Sequence, residues 1–333
     1  MTQNVKQRCL LETAVALHYN LHVPNSRISG RLVLALLAAP LCMGGACEKK
    51  KTTPNDPGMS GALDHAGSGS QTVESNSNDS SPLPGIDLGK LDGDKQVTFY
   101  KLLSSLSSPC GKAHSLRTSF LTDQSCKRAP FAVKYLVALL EDAESETMAR
   151  DLWEKKYHGS TETFKFDLTK EPHVGSEDAP IRFVEFYDYG CPHCAEFRPM
   201  LESVMDHEKG KIVVYFLHYT LGHFQGSHEA AQAALAAADQ HKFVEMHDML
   251  FEHQRERSHD DIFGFAKKLG LDMAKFEADY NKESAHVDAQ HQQGENAGVS
   301  STPSLYFNDH KYEGPMSIRY MEMWIDEELA VNR

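Results

Sequence analysis

Apolar residues are distributed along this chain in regionally different patterns. Residues 32–41 read LVLALLAAPL, a single unbroken apolar run. From Glu48 to about Gly85 large apolar residues almost vanish among Ser, Gly, Asn, Asp and Pro. Between Asp94 and Tyr157 they return at helical spacing: Phe99, Leu102, Leu103 and Leu106, then Leu116 and Phe120, then Phe131, Tyr135, Leu136, Leu139 and Leu140, then Met148, Leu152 and Trp153. Breaks at Pro109 and Gly111, and from Arg128 to Pro130, divide this stretch into three or four short predicted helices. Residues 181–187, IRFVEFY, are mostly β-branched and aromatic and predict a buried strand. Helical spacing resumes through AEFRPMLESVMDHE, and residues 225–295 read as helix-rich.

The apolar run at 32–41 falls short of the ~20 residues a membrane span needs, but it suits the core of a secretory signal, with Arg27 and Arg31 before it. Cys47 follows Gly44, Gly45 and Ala46 and precedes the polar run Glu48, Lys49, Lys50, Lys51, which resembles the end of a bacterial lipoprotein leader. The expectation is a leader over residues 1–47, with Cys47 lipidated as the mature N-terminus. Gly44 stands where an aliphatic residue is usual, so an ordinary cleaved signal with Cys47 incidental is the alternative. Residues 48–85 then form a disordered linker, because so few apolar groups cannot offset chain entropy. As a flexible coil it reaches roughly 35 Å, enough to hold a domain clear of a membrane.

With 41% hydrophobic and 24% charged residues in 333, the chain has ordinary globular composition. Its formal charge of -13, from 34 Lys and Arg against 47 Asp and Glu, offers no global attraction to phosphate backbones, and nucleic acid is not expected as a partner. Among the seven cysteines, Cys110 and Cys126 form a middle group. In an exported protein they read as a structural disulfide closing a loop in a small domain with a thin core, a constraint worth ~2–4 kcal/mol.

The chemistry sits at Cys191, Pro192, His193 and Cys194, directly after the predicted strand and at the start of the predicted helix. A helix N-terminus presents free N–H groups and positive potential, which stabilise a thiolate at Cys191. Pro192 suits the first turn, where its missing N–H is no loss, and a cationic His193 would add to the field. A zinc half-site competes for any Cys-x-x-Cys, but no further cysteine follows. His241, His247, His253 and His259 recur every six residues, which spreads them round a helix as solvated side chains.

Two resemblances extend this reading. SPCGKAHSL and CKRAPFAVKYLVALLEDAESETMARDLWEKKY resemble the small thiol-bearing helical domain of cytochrome c maturation proteins of the CcmH type, although Ala113 replaces that family's second cysteine. APIRFVEFYDYGCPHCAEF resembles the active-site segment of DsbA-like thiol:disulfide oxidoreductases of the thioredoxin superfamily, and residues 301–307, STPSLYF, resemble that branch's cis-proline loop. The second resemblance covers about residues 161–333. It implies an α/β, thioredoxin-like fold with a helical insertion at about 225–295, preceded by a small all-α domain over residues 86–160. Cys191 would be the exposed nucleophile, Cys194 its buried partner, Pro303 a cis residue facing the pair, and Thr302 the source of backbone groups on which a substrate peptide pairs. Glu185 would be a buried acid relaying protons to Cys194. Imperfect alternation along the strand leaves a solvent-side position for it open, and Asp188 is the weaker candidate.

The implied protein is an exported, periplasmic and membrane-tethered enzyme that donates disulfides to cysteine-containing exported substrates. It needs no metal or nucleotide, because the Cys191–Cys194 disulfide is its redox group. It would be recycled by a membrane partner, either a DsbB-like quinone-linked oxidase or a thiol reductant. Two alternatives stay open: a reductase serving cytochrome c maturation, and a non-catalytic tethered module using the peptide groove.

Overall fold

The computed structural model describes residues 79–331 apart from Glu144. The expected leader with Cys47, and the linker up to residue 78, lie outside the described residues. Residues 79–85, assigned above to the linker, belong instead to the folded body. Leu83 is buried, and the Arg117 guanidinium donates to the Ser81 carbonyl at 3.0 Å and pairs with Asp79 at 2.9 Å. One leucine and one arginine anchor this stretch, a contribution that low average hydrophobicity conceals.

Four helices come first: α1 (Gly93–Ser105), α2 (Leu116–Leu121), α3 (Ala129–Asp142) and α4 (Glu146–His158). Asp92, Ser115 and Ser145 cap α1, α2 and α4, each accepting a backbone N–H from the first turn. The fully buried Trp153 donates from Nε1 to the Ala132 carbonyl at 3.0 Å, which ties α4 to α3 through a polar contact inside an apolar core. A disulfide joins Cys110 to Cys126 across α2.

A five-stranded sheet follows, built from β1 (His173–Val174), β2 (Ile181–Tyr187), β3 (Ile212–His218), β4 (Ser304–Phe307) and β5 (His310–Lys311) in the order β1-β3-β2-β4-β5. The β2–β3 pair is parallel, with Glu185 opposite Phe216, and β4 runs antiparallel to β2 with Leu305 opposite Glu185. Central position explains why β2 lacks clean alternation: six of its seven residues are buried. The crossover from β2 to β3 is α5 (Pro192–His207), as a parallel pair requires. Between β3 and β4 the chain inserts α6 (Ser227–Ala238), α7 (Phe243–Glu252), α8 (His259–Lys268), α9 (Met273–Lys282) and α10 (Ser284–Asn296).

The last helix among the described residues, α11 (Ile318–Val331), packs on α3 as well as on α5 and β2, so the four first helices and the sheet share one core. Tyr320 donates to the Ala138 carbonyl at 3.0 Å. Glu327 is fully buried, with Arg128 at 2.8 Å, Lys156 at 3.0 Å and the Tyr157 hydroxyl at 2.9 Å. Lys156 also lies 3.6 Å from the Trp324 ring centroid. Burial pulls its ammonium down to about 8, against the opposing pull of the Glu327 carboxylate. No helix among the described residues is long and apolar enough to cross a membrane.

Candidate functional site

Cys191 is the N-cap of α5 and Pro192 its first residue, so the helix begins at the cysteine pair. The approach to it is tightly held. Asp188 is buried and is not a free acid: one carboxylate oxygen accepts the Gly190 N–H at 2.7 Å, the other the Leu221 N–H at 2.8 Å. Gly190 is required by close packing, since a Cβ there would come within 2.3 Å of Phe224 Cβ and 2.7 Å of Ser227 Oγ. The Gln254 side-chain amide donates to both the Tyr189 and Cys191 carbonyls, at 2.9 and 3.0 Å. Sequence reading missed Gln254, because nothing in a single glutamine 63 residues downstream marks it as a clamp.

Cys191 and Cys194 are free thiols, and both are buried. Cys191 is only 3% exposed, a correction to the exposed nucleophile expected above. Its cover is the 302–303 loop, where the Cys191 thiol donates to the Thr302 carbonyl at 3.4 Å. The Thr302–Pro303 bond is cis, and β4 begins at the next residue. The Thr302 hydroxyl is buried without a hydrogen-bond partner. His193, in the first turn, is exposed, with Nδ1 3.5 Å from the Glu196 carboxylate, a neighbour that offsets part of any positive charge it carries.

Glu185 is buried, 4% exposed, which settles the choice that alternation left open. Burial pushes its carboxyl up to about 8. Burial, and then the proximity of the Glu185 charge, push the Cys194 thiol far above the ordinary cysteine range. Either group alone is therefore costly to ionise, and a proton exchanged between them avoids leaving two negative charges in one dry site.

Glu185→Gln is expected to stabilise the protein at neutral pH. The native carboxyl keeps its proton to about pH 8, whereas the unfolded one loses it near 4.5. Between those values the native state binds more protons than the unfolded state, so the cost of burying Glu185 grows as pH rises. Glutamine removes that cost, a gain of about 3 kcal/mol at pH 7 that shrinks toward zero near pH 4.5. Urea unfolding at pH 5 and pH 7.5 checks this, and an equal difference at both would contradict it.

Around Glu185 lies a cavity of about 490 Å³ between α5, α7 and the sheet, lined by Leu201, Phe216, Phe243 and His247 among others. His247 corrects the expectation of solvated histidines, for it is buried and its Nδ1 lies 3.0 Å from the Tyr189 hydroxyl. Six-residue spacing carries no information about which turn of a helix faces the core.

Residues 167–327 match the family model described as thioredoxin. The fold is thioredoxin-like, a mixed sheet with a helical insertion, as the resemblance implied. Among solved structures, BdbD from Bacillus subtilis is 22% identical, covering 50% of this chain and 97% of its own, with a TM-score of 0.44. The thiol-disulfide exchange protein alpha-DsbA2 from Wolbachia pipientis is 26% identical, covering 49% of this chain and 88% of its own, also with a TM-score of 0.44. Among curated relatives, the Na(+)/H(+) antiporter NhaA 1 of Mycobacterium sp. (strain KMS) is 32% identical over 148 residues, 42% of this chain and 24% of the antiporter. NhaA 3 of Salinispora tropica is 33% identical over 148 residues, 43% of this chain and 22% of the antiporter. The chain thus spans about a quarter of the length of the curated relatives it matches.

Proposed function

We propose that this chain, with its thioredoxin-like fold, is an exported thiol:disulfide oxidoreductase that donates a disulfide to cysteine-containing proteins. One observation carries the reading: Cys191 caps α5 against a cis Thr302–Pro303 loop, with Cys194 within the first turn and a buried acid, Glu185, beneath. A substrate thiolate attacks Cys191 Sγ, the Cys191–Cys194 bond breaks, and its electron pair leaves on Cys194. Glu185 gives that sulfur its proton. A second substrate thiolate then attacks the substrate sulfur of the mixed disulfide and releases Cys191 as a thiolate, favoured by the positive end of α5. The backbone at Thr302 is the pairing edge for an extended substrate segment, which takes the place of the cover over Cys191. In this reading Cys110–Cys126 is structural, and Cys47 ties the enzyme to a membrane where a quinone-linked or thiol partner recycles it.

The test is the equilibrium of the Cys191–Cys194 pair with glutathione. An oxidase is expected to have a potential nearer the ≈ -120 mV of DsbA than the ≈ -270 mV of thioredoxin, and His193→Ser should make it about 30 mV less oxidising. A potential near thioredoxin's would promote the reductase instead.

A further inference from the structure

A buried hydrogen-bonded chain of rings lies beside the cysteine pair, and its donors and acceptors can be assigned one after another. The backbone N–H of His218 must donate, so the Gln290 atom 2.9 Å from it is the carbonyl Oε1. The same oxygen lies 2.7 Å from His218 Nδ1, which therefore carries a hydrogen. Gln290 Nε2 donates to the Glu171 carboxylate, itself 3.1 Å from His286. Neutral His218 is left with a bare Nε2, which accepts the Tyr187 hydroxyl hydrogen at 2.8 Å. The Tyr187 oxygen then accepts from Tyr189 at 3.1 Å. Tyr189, its one hydrogen committed, accepts from Nδ1–H of His247 at 3.0 Å. Burial keeps both imidazoles neutral, pulling His218 down to about 3 and His247 well below its ordinary value, the latter helped by the Arg198 charge.

His247 Nε2 is consequently a bare acceptor, with no hydrogen-bond partner among the described residues. Its ring lines the same cavity as Glu185. Arg198, Glu202 and Asp206 face that cavity from α5, Asp248 from α7, and Lys209 from the turn after α5. Arg198 is held by Asp248 at 2.9 Å and by Glu202 at 2.7 Å. Neither cysteine lines the cavity, so Glu185 reaches it by a side separate from the Thr302–Pro303 loop. The cavity has room for several waters at ~30 Å³ each.

We infer that His247 is a positioning residue for Glu185: its bare Nε2 accepts a hydrogen bond from a cavity water, and that water carries protons between solvent and the Glu185 carboxyl. The inference deepens the disulfide-exchange reading and rests on it. When the Cys191–Cys194 bond breaks, the Glu185 proton passes to Cys194, and the carboxylate recovers one proton from solvent through the water at Nε2. On reoxidation Cys194 returns its proton to Glu185 and the same route releases one proton to solvent. The ring chain back to Gln290 fixes the tautomer that keeps Nε2 bare.

The test is stopped-flow oxidation of a reduced dithiol peptide by the disulfide form of the full chain, from pH 6 to 8. His247→Phe is expected to slow the reaction about tenfold at pH 8 and less at pH 6, where solvent protons are more abundant. Added imidazole should restore the rate, His247→Gln should retain most of it, and the glutathione equilibrium should not move, because a proton route changes rates and not end states. Tyr189→Phe, which removes the acceptor for Nδ1–H and frees the ring to change tautomer, should slow the reaction in the same pH-dependent way and serves if His247→Phe does not fold. A rate within twofold of the unsubstituted chain across the range, or a slowing that imidazole does not relieve, overturns the inference. Failure of the unsubstituted chain to oxidise the peptide would bring down the exchange reading instead.

Discussion

Cys191→Ser is expected to reduce disulfide transfer to a dithiol peptide by at least about 10³-fold while leaving the fold intact. Serine fits the same buried space at the N-cap of α5, and serine is a favoured capping residue, so stability should change by less than ~1 kcal/mol. Its hydroxyl cannot form a disulfide with Cys194, the step on which the proposed exchange depends. Cys194 cannot substitute, since it is 1% exposed and burial holds its thiol protonated. The reciprocal variant should behave differently. Cys194→Ser keeps Cys191 but cannot resolve a mixed disulfide, so with a peptide that carries a disulfide the Cys191 thiolate should attack one substrate sulfur, release the other as a thiolate, and leave a covalent adduct that accumulates and is visible by mass. Turnover by Cys191→Ser above about a hundredth of the normal rate would show that another sulfur does the chemistry.

The largest expected loss of stability comes from a residue far from the cysteines. Glu327 is the shared acceptor for Arg128, Lys156 and Tyr157, and its own side chain is buried. Glu327→Ala leaves Lys156 buried against Trp324 without its counter-charge, and a stranded buried charge costs about 3–5 kcal/mol. The direction with pH distinguishes this from simple loss of packing. Lys156 titrates near 8 in the fold and higher when unfolded, so the native state sheds its proton first and the ion pair fades above pH 8. The deficit of Glu327→Ala should therefore narrow between pH 7 and pH 9.5, as read by urea midpoints at constant slope. A loss below about 1 kcal/mol, or one independent of pH, would mean that the ion pair is not what holds α11 to α3 and α4.

Local patterns made the central parts of this molecule legible in advance. The run IRFVEFY became β2, the cysteine spacing became the start of α5, and the dipeptide at 302–303 became the turn into β4, because each depends on neighbours a few residues away. Glu185 was ambiguous for a physical reason: a strand covered on both faces has no polar side to reveal its orientation. Gln254, Gln290 and His247 were invisible as site residues. Their partners lie 58–72 residues off in sequence, at Tyr189, Cys191 and His218, and are brought near only by the insertion. The union of the first helices with α11 was also beyond reach, since amphipathic spacing shows that a helix buries a face without naming its partner.

That union bears on the order in which the molecule can be assembled. Arg128 and Tyr157 find Glu327 across 199 and 170 residues, and Tyr320 meets Ala138 across 182. α11 supplies the Glu327 carboxylate that meets Lys156 in its buried site at 3.0 Å. Until α11 docks, α3 and α4 carry an apolar face and an ammonium without these partners, and contacts this distant in sequence are slow to form. Chains cut before α11 should accordingly stay soft and protease-sensitive in their first helices, and those helices should become firm only once α11 has docked.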